Sequence, residues 1–148
     1  MSDNKNRVVL TTDGAASDNQ SKTDRKAGIG YVVSDGGTKM TERNQFLGQG
    51  ESYTNNFAEY RAVILGLEWI QDEYDSADVS VNIHTDCELL VRQVREEYDT
   101  NKSHLIKQRN TVQDLLSNFG EYQLEHVSET DENLISRADT LATKATQQ

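Results

Sequence analysis

Proline is missing altogether from these 148 residues, and composition offers no physical reason for it. Cysteine is nearly missing. A single Cys87 excludes an internal disulfide framework and a cysteine-rich zinc site. No apolar run approaches the roughly 20 residues that span a bilayer. The polar start, Met1 to Asn6, has no signal-peptide core, so a cytoplasmic location is the default expectation. Bases are scarce beside acids: 15 Lys and Arg against 25 Asp and Glu leave a net charge of −10. Taken alone, that balance argues against nucleic acid as a partner, because phosphate binding usually leaves a basic footprint. It fits a solvated acidic surface, a divalent-metal binder, or a protein working at high salt. Internal repeats, low-complexity tracts and linkers are also absent, so one domain over 1–148 is expected, with 1–6 as a frayed start.

The chain is rich in periodic apolar segments. Hydrophobic residues make up only 34%, yet they cluster. Arg7 to Gly14 is a β-branched run that predicts a strand with Asp13 at its C-terminal end. Ala15 to Lys26 reads as a polar loop. Ala27 to Val33 predicts a second strand and Thr38 to Leu47 a polar third strand near an edge, joined at Asp35-Gly36-Gly37. A helix follows at about 55–72. Val79 to Thr85 alternates with period two, a fourth strand that runs into a helix from Asp86 to Val94. Asn101 to Ser117 is helical, Tyr122 to Val127 is a fifth strand, and Leu134 to Thr146 closes the chain as a helix. The order β-β-β-α-β-α-α-β-α predicts an α/β fold. Its five-stranded mixed sheet has three antiparallel strands followed by parallel ones, with helices on its faces.

Glu59, Val63, Gly66 and Ile70 stand at i, i+4, i+7 and i+11, one buried stripe headed by a carboxylate. An ionised carboxylate on a dry face needs a cation, a donor or an open site. A local reading competes. Asn56 and Glu59 have the spacing of N-cap and N3 in a capping box.

Three further acids stand where such a fold could gather them. Asp13 ends the first strand, Asp86 ends the fourth, and Asp139 lies in the first turns of the last helix. Each also has a local explanation: an Asp-Gly turn, a helix first turn with Thr85 and Glu88 as a capping pair, and Ser136 with Asp139 at capping spacing. Capping does not, however, require four acids at separate chain positions. Gathered carboxylates repel one another unless cations neutralise them. Hard oxygen ligands suit Mg²⁺ or Mn²⁺. Two such ions about 4 Å apart can clamp both oxygens of an in-line phosphoryl displacement.

Thr12-Asp13-Gly14, Thr54-Asn55-Asn56-Phe57-Ala58-Glu59, His84-Thr85-Asp86 and Ala138-Asp139-Thr140-Leu141-Ala142 together resemble ribonuclease H type 1, in the right order and across nearly the whole chain. The resemblance implies the ribonuclease H fold and metal-dependent cleavage of the RNA strand of RNA/DNA hybrids, leaving 5′-phosphate and 3′-hydroxyl ends. It implies that Asp13 bridges two Mg²⁺ or Mn²⁺ ions. Asp139 would help hold the ion that activates water. Glu59 and Asp86 would hold the ion facing the leaving oxygen, with Glu59 near the RNA 2′-hydroxyl. Thr54 and Asn55 would touch the DNA phosphate, and Asn55 and Asn56 the minor groove. A monomer is expected.

The sequence also departs from that pattern. The loop after Asp13 lacks a proline- and glycine-rich turn. Glu96-Glu97-Tyr98-Asp99 stands where many bacterial relatives carry a basic protrusion. Cys87 replaces a serine, and is expected to be a small buried thiol. The loop Ser128 to Asn133 has no histidine to assist product release; His126 and His84 are read as structural strand residues. Arg25, Lys26, Lys102, His104, Lys107 and Arg109 could form a phosphate-contacting rim or simply a solvated face. The charge suggests adaptation to salt. Two competing functions share the fold: another nuclease, which would keep the acids without needing Thr54-Asn55-Asn56, and a non-catalytic binding module, which would gain nothing from four repelling carboxylates.

Overall fold

A computed structural model describes residues 6–17, 22–97, 103–130 and 133–147. The strands are β1 (Asn6–Ala16), β2 (Lys26–Asp35), β3 (Thr38–Gln49), β4 (Val79–Thr85) and β5 (Glu121–His126). The helices are α1 (Asn55–Glu73), α2 (Glu88–Val94), α3 (Ser103–Leu116) and α4 (Ile135–Ala145), with short 3₁₀ turns at Lys22–Asp24 and Ser76–Asp78. They form one mixed sheet ordered β3-β2-β1-β4-β5. β2 is antiparallel to both β1 and β3, whereas β4 is parallel to both β1 and β5. The expected fold class is therefore the observed one.

Alternation along the strands places the core. In β4, Val79, Val81, Ile83 and Thr85 are buried, while Ser80, Asn82 and His84 are half-exposed. α1 packs on the buried side with Ile64, Leu67 and Ile70, where they meet Leu10 and Ile83 in the same apolar cluster. Burying such side chains stabilises by about 1.5–3 kcal/mol each. Leu90 of α2 and Leu116 of α3 complete this layer. α4 lies on the other face. Asp13 pairs with Gly30, so their side-chain positions share a face; Gly14, one residue on, points the opposite way. A Cβ on Gly30 would strike α4, and one on Gly14 would strike α1.

Two boundaries move in ways that matter. β1 does not stop at Asp13-Gly14. Gly14, Ala15 and Ala16 continue to pair with Ile29, Gly28 and Ala27. A neighbouring strand with matching backbone partners overrides the local turn preference of Asp-Gly. Asp13 thus sits inside the strand, not at its end. The expected loop from Ala15 shortens accordingly, and its residues 18–21 lie outside the described part. β3 likewise runs on to Gln49. The helix expected from Asn101 is described from Ser103. Tyr98 and Asp99 of the acidic segment lie outside the described residues, as do Lys102, the side chain of His104, and Asp131 and Glu132. Among the described residues no helix is long and apolar enough to cross a membrane.

Candidate active site

β1 carries Asp13 to the sheet's centre, and β4 ends at Thr85 so that Asp86 follows directly beside it. Thr12 pairs with Thr85, which sets the two acids on adjacent parallel strands. α1 delivers Glu59 from the other side. Its approach depends on Gly14, because any Cβ there would lie 2.3 Å from both Ala58 C and Glu59 N. With that space open, the Gly14 N–H donates to Glu59 Oε1 at 2.7 Å. Ligand oxygens of Asp13, Glu59 and Asp86 all lie within 4.8 Å of one another. Asp139, the fifth residue of α4, is exposed and lies near enough to raise the pKa of Asp13, but it stands outside the group of three acids within 4.8 Å.

The electrostatics of this cluster point one way. Burial raises the pKa of Asp13, and the charges of Glu59, Asp86 and Asp139 raise it further. Burial also raises Glu59, helped by Asp86, against the opposing hydrogen bond from Gly14. Among the described residues, no Lys or Arg forms an ion pair with either group. Hard carboxylate donors, crowded together without a protein cation, fit divalent metal ions. Cys87 contacts Glu59, and burial pushes its thiol up to about 12. It is half-buried and stays protonated, an inert neighbour.

The expected capping box at α1 is corrected. Thr54, not Asn56, is the N-cap: its Oγ1 accepts from Phe57 N at 3.1 Å. Glu59 lies a turn deeper, out of capping range and directed at Gly14. Phe57 occupies N3, so the cap is one-sided. Asn55 spans to β1, where its Oδ1 accepts from Ala16 N at 2.6 Å. Tyr53 and Phe57 stack edge to face with centroids 5.6 Å apart and brace this turn. The capping pairs at the other acids are also absent. Thr85 Oγ1 accepts from Cys87 N at 3.1 Å; at α4 the N-cap is Leu134, not Ser136, and Asn133 just before it accepts from Ile135 N at 3.0 Å.

The remaining polar candidates fall around the site. His84 Nε2 lies 3.3 Å from Glu125 Oε2 on the sheet face, and His126 ends β5 exposed. Arg25 Nη1 donates to Glu51 O at 3.0 Å, fastening the loop ahead of Thr54. Lys107 is exposed, while Arg109 folds onto Asn110. A cleft of about 940 Å³ lies at the opposite end of the sheet, lined by Arg7, Ser80, Asn82, Tyr122 and Gln123 among others. It contains none of the four acids. Sequence reasoning missed Thr54 as the cap, Asn55 as a strap and a bidentate pair between Glu42 and Arg137. Only the first had a local signal, since threonine is a favoured N-cap.

Sheet order, crossover and acid cluster together define a ribonuclease H-like fold. A family model described as reverse transcriptase-like matches residues 11–145. A ribonuclease HI of Halobacterium salinarum is 32% identical over 145 residues, 97% of this chain; the chain spans 66% of that protein. The crystal structure of the RNase H1 from that halophilic archaeon superposes with a TM-score of 0.81 at 30% identity, covering 95% of this chain and 98% of that one. An N-terminal RNase H domain from Mycobacterium tuberculosis gives 0.81 at 28%, covering 97% and 95%. LC11-RNase H1, crystallised with an RNA/DNA hybrid, gives 0.79 at 29%, covering 95% and 96%. The chain belongs to the ribonuclease H type 1 family.

Proposed function

We propose that this protein is a metal-dependent endoribonuclease that cuts the RNA strand of RNA/DNA hybrids. The observation that carries the reading is the convergence of Asp13, Glu59 and Asp86 within 4.8 Å, in a chain of this family. A hybrid bound to a relative of the same fold supports the substrate class. Asp13, Glu59, Asp86 and Asp139 would hold two Mg²⁺ or Mn²⁺ ions. When bound, such ions lower the pKa of a water and neutralise charge on the leaving oxygen.

The protein's own groups bind and orient. Asp13 adjoins the buried Glu59 and the exposed Asp86 and Asp139, so it would help hold both cations. Gly14 fixes one oxygen of Glu59 and thus its direction. The Thr54 hydroxyl accepts from Phe57 N, which leaves its own hydrogen to donate to a DNA phosphate. With its oxygen engaged by Ala16 N, Asn55 has its amide N–H groups to donate in the same way, and Asn56 follows it for minor-groove contact. A 2′-hydroxyl near Glu59 would select RNA over DNA. Hydrolysis breaks the bond between phosphorus and the 3′-oxygen. Water's oxygen joins phosphorus and the 3′-oxygen takes a proton, leaving 5′-phosphate and 3′-hydroxyl ends.

In this reading the chain works as a monomer without a basic protrusion. Arg92 binds Glu88 and Glu97 in that region rather than projecting freely. The acidic surface then suits a protein adapted to salt.

A labelled RNA/DNA hybrid, assayed with Mg²⁺, Mn²⁺ or EDTA beside single- and double-stranded controls, tests the proposal. Metal-dependent cutting of the hybrid's RNA strand alone is expected. Equal cutting of single-stranded DNA would refute it.

A further inference from the structure

Arg137 and Glu42 form a two-pronged pair between α4 and the edge strand β3. Arg137 Nε donates to Glu42 Oε1 at 3.1 Å, and its second nitrogen, Nη2, donates to Oε2. Lys39 Nζ adds a third contact to Oε1 at 3.2 Å. A fork of this kind restrains the guanidinium in both position and plane, which a single ammonium contact does not. The partners are 95 residues apart in sequence, so the restraint is tertiary.

Its location matters because of what lies under α4. The helix rests on Gly28 and Gly30 of β2. A Cβ on Gly30 would come 2.5 Å from Ala138 O and from Leu141 Cβ; one on Gly28 would come 2.4 Å from Ala145 Cβ. These glycines permit close approach, and the side chains beneath the helix on that face come from the neighbouring positions Thr11 and Val32, both buried. Ridges seated in grooves are what normally fix a helix against sliding and rotation. At the helix start the N-cap Leu134 makes no side-chain cap bond, and the tie there is local: Asn133 Oδ1 accepts from Ile135 N at 3.0 Å. Among the described residues, Glu42–Arg137 is the ion pair that joins α4 to the sheet. Arg137 stands two residues before Asp139.

We propose that Glu42 and Arg137 are positioning residues for Asp139. Their forked pair sets the axial and rotational place of the first turns of α4, and so where the Asp139 carboxylate stands relative to Asp13. The proposal rests on the reading of Asp139 as a metal ligand. The pair is partly exposed, with side chains 22% and 43% accessible. Exposed pairs contribute little to global stability. The effect therefore falls on the site rather than on melting.

The test uses E42Q, R137K and the swapped double variant E42R/R137E. Mn²⁺ binding to the metal-free protein is titrated by calorimetry, and hybrid cleavage is split into kcat and KM. E42Q and R137K should each weaken one Mn²⁺ binding event by roughly tenfold, the usual scale for groups that orient ligands. kcat should fall while KM for the hybrid and Tm stay near wild type, and the swap should recover most of both losses. Unchanged Mn²⁺ affinity and kcat in E42Q overturn the proposal, as does a loss that merely follows Tm. A wild-type chain that binds Mn²⁺ without cutting the hybrid overturns the proposed function alone, and the titration still judges the pair. A chain that binds no Mn²⁺ overturns both.

Discussion

The Gly14 amide donates to the Glu59 carboxylate at 2.7 Å, joining β1 to α1 across 45 residues of sequence. Asp13 is held beside Glu59 because the residue after it has no side chain. Gly14→Ala would place a Cβ 2.3 Å from backbone atoms that cannot swing aside. The start of α1 must then shift. Overpacking of this kind costs about 1–3 kcal/mol, and displacement of a catalytic group by about 1 Å can cost about 10²-fold in rate. Calorimetric melting and hybrid cleavage on the same preparation check both losses. Unaltered cleavage would show that the Gly14–Glu59 contact is dispensable.

Asp13→Asn should reduce cleavage by at least about 10²-fold, a scale typical of losing a group that stabilises developing charge. It should also raise the stability of the metal-free protein near neutral pH. The sign follows from linkage. Burial and three neighbouring acids raise the pKa of folded Asp13 above its ordinary 3.8. Between those values the folded chain holds more protons than the unfolded chain, so stability falls as pH rises. Metal-free wild type should therefore lose Tm as pH increases from about 4, and Asp13→Asn should flatten that slope. A wild-type Tm that climbs steadily with pH in EDTA would contradict the assignment.

Thr54→Ala removes the N-cap acceptor of α1 and, in the proposed reading, a phosphate contact. Loss of such a cap costs about 1 kcal/mol. Loss of a hydrogen bond to a charged group is worth roughly tenfold in KM. The substitution should lower Tm slightly and raise KM for the hybrid, with kcat nearly unchanged. A fall in kcat without a KM change would place Thr54 in the chemistry instead.

Salt provides the remaining test. With a net charge of −10, repulsion across the surface is greatest in dilute buffer. Near 1 M salt the Debye length is about 3 Å, so that repulsion is screened. Tm and hybrid cleavage should both rise from low salt towards molar KCl. Full stability and activity in dilute buffer would make the acidic surface incidental.

The element order was readable because periodicity is local. Val79 to Thr85 alternates cleanly and forms β4 with those bounds. The stripe Glu59, Val63, Gly66, Ile70 is buried as its spacing requires. Boundaries failed where a partner strand competed with local chemistry. Asp13-Gly14 carries a turn signal, yet β2 pairs with Gly14, Ala15 and Ala16 and the strand continues. Asn56 and Glu59 carry a capping signal, yet Thr54 takes the cap and Glu59 turns to Gly14.

What the sequence determined by itself was the set of elements, the four acids and their order, since each depends on residues within a turn or two along the chain. What only tertiary structure decided was which of those acids meet. Asp13, Glu59 and Asp86 converge because Gly14 lets a helix touch a strand. Asp139 approaches Asp13 from a helix seated on glycines and tied to Glu42 by Arg137. The Gly14–Glu59 and Glu42–Arg137 contacts join residues 45 and 95 positions apart. Local periodicity carries no information over such separations, whereas close packing across a sheet enforces them.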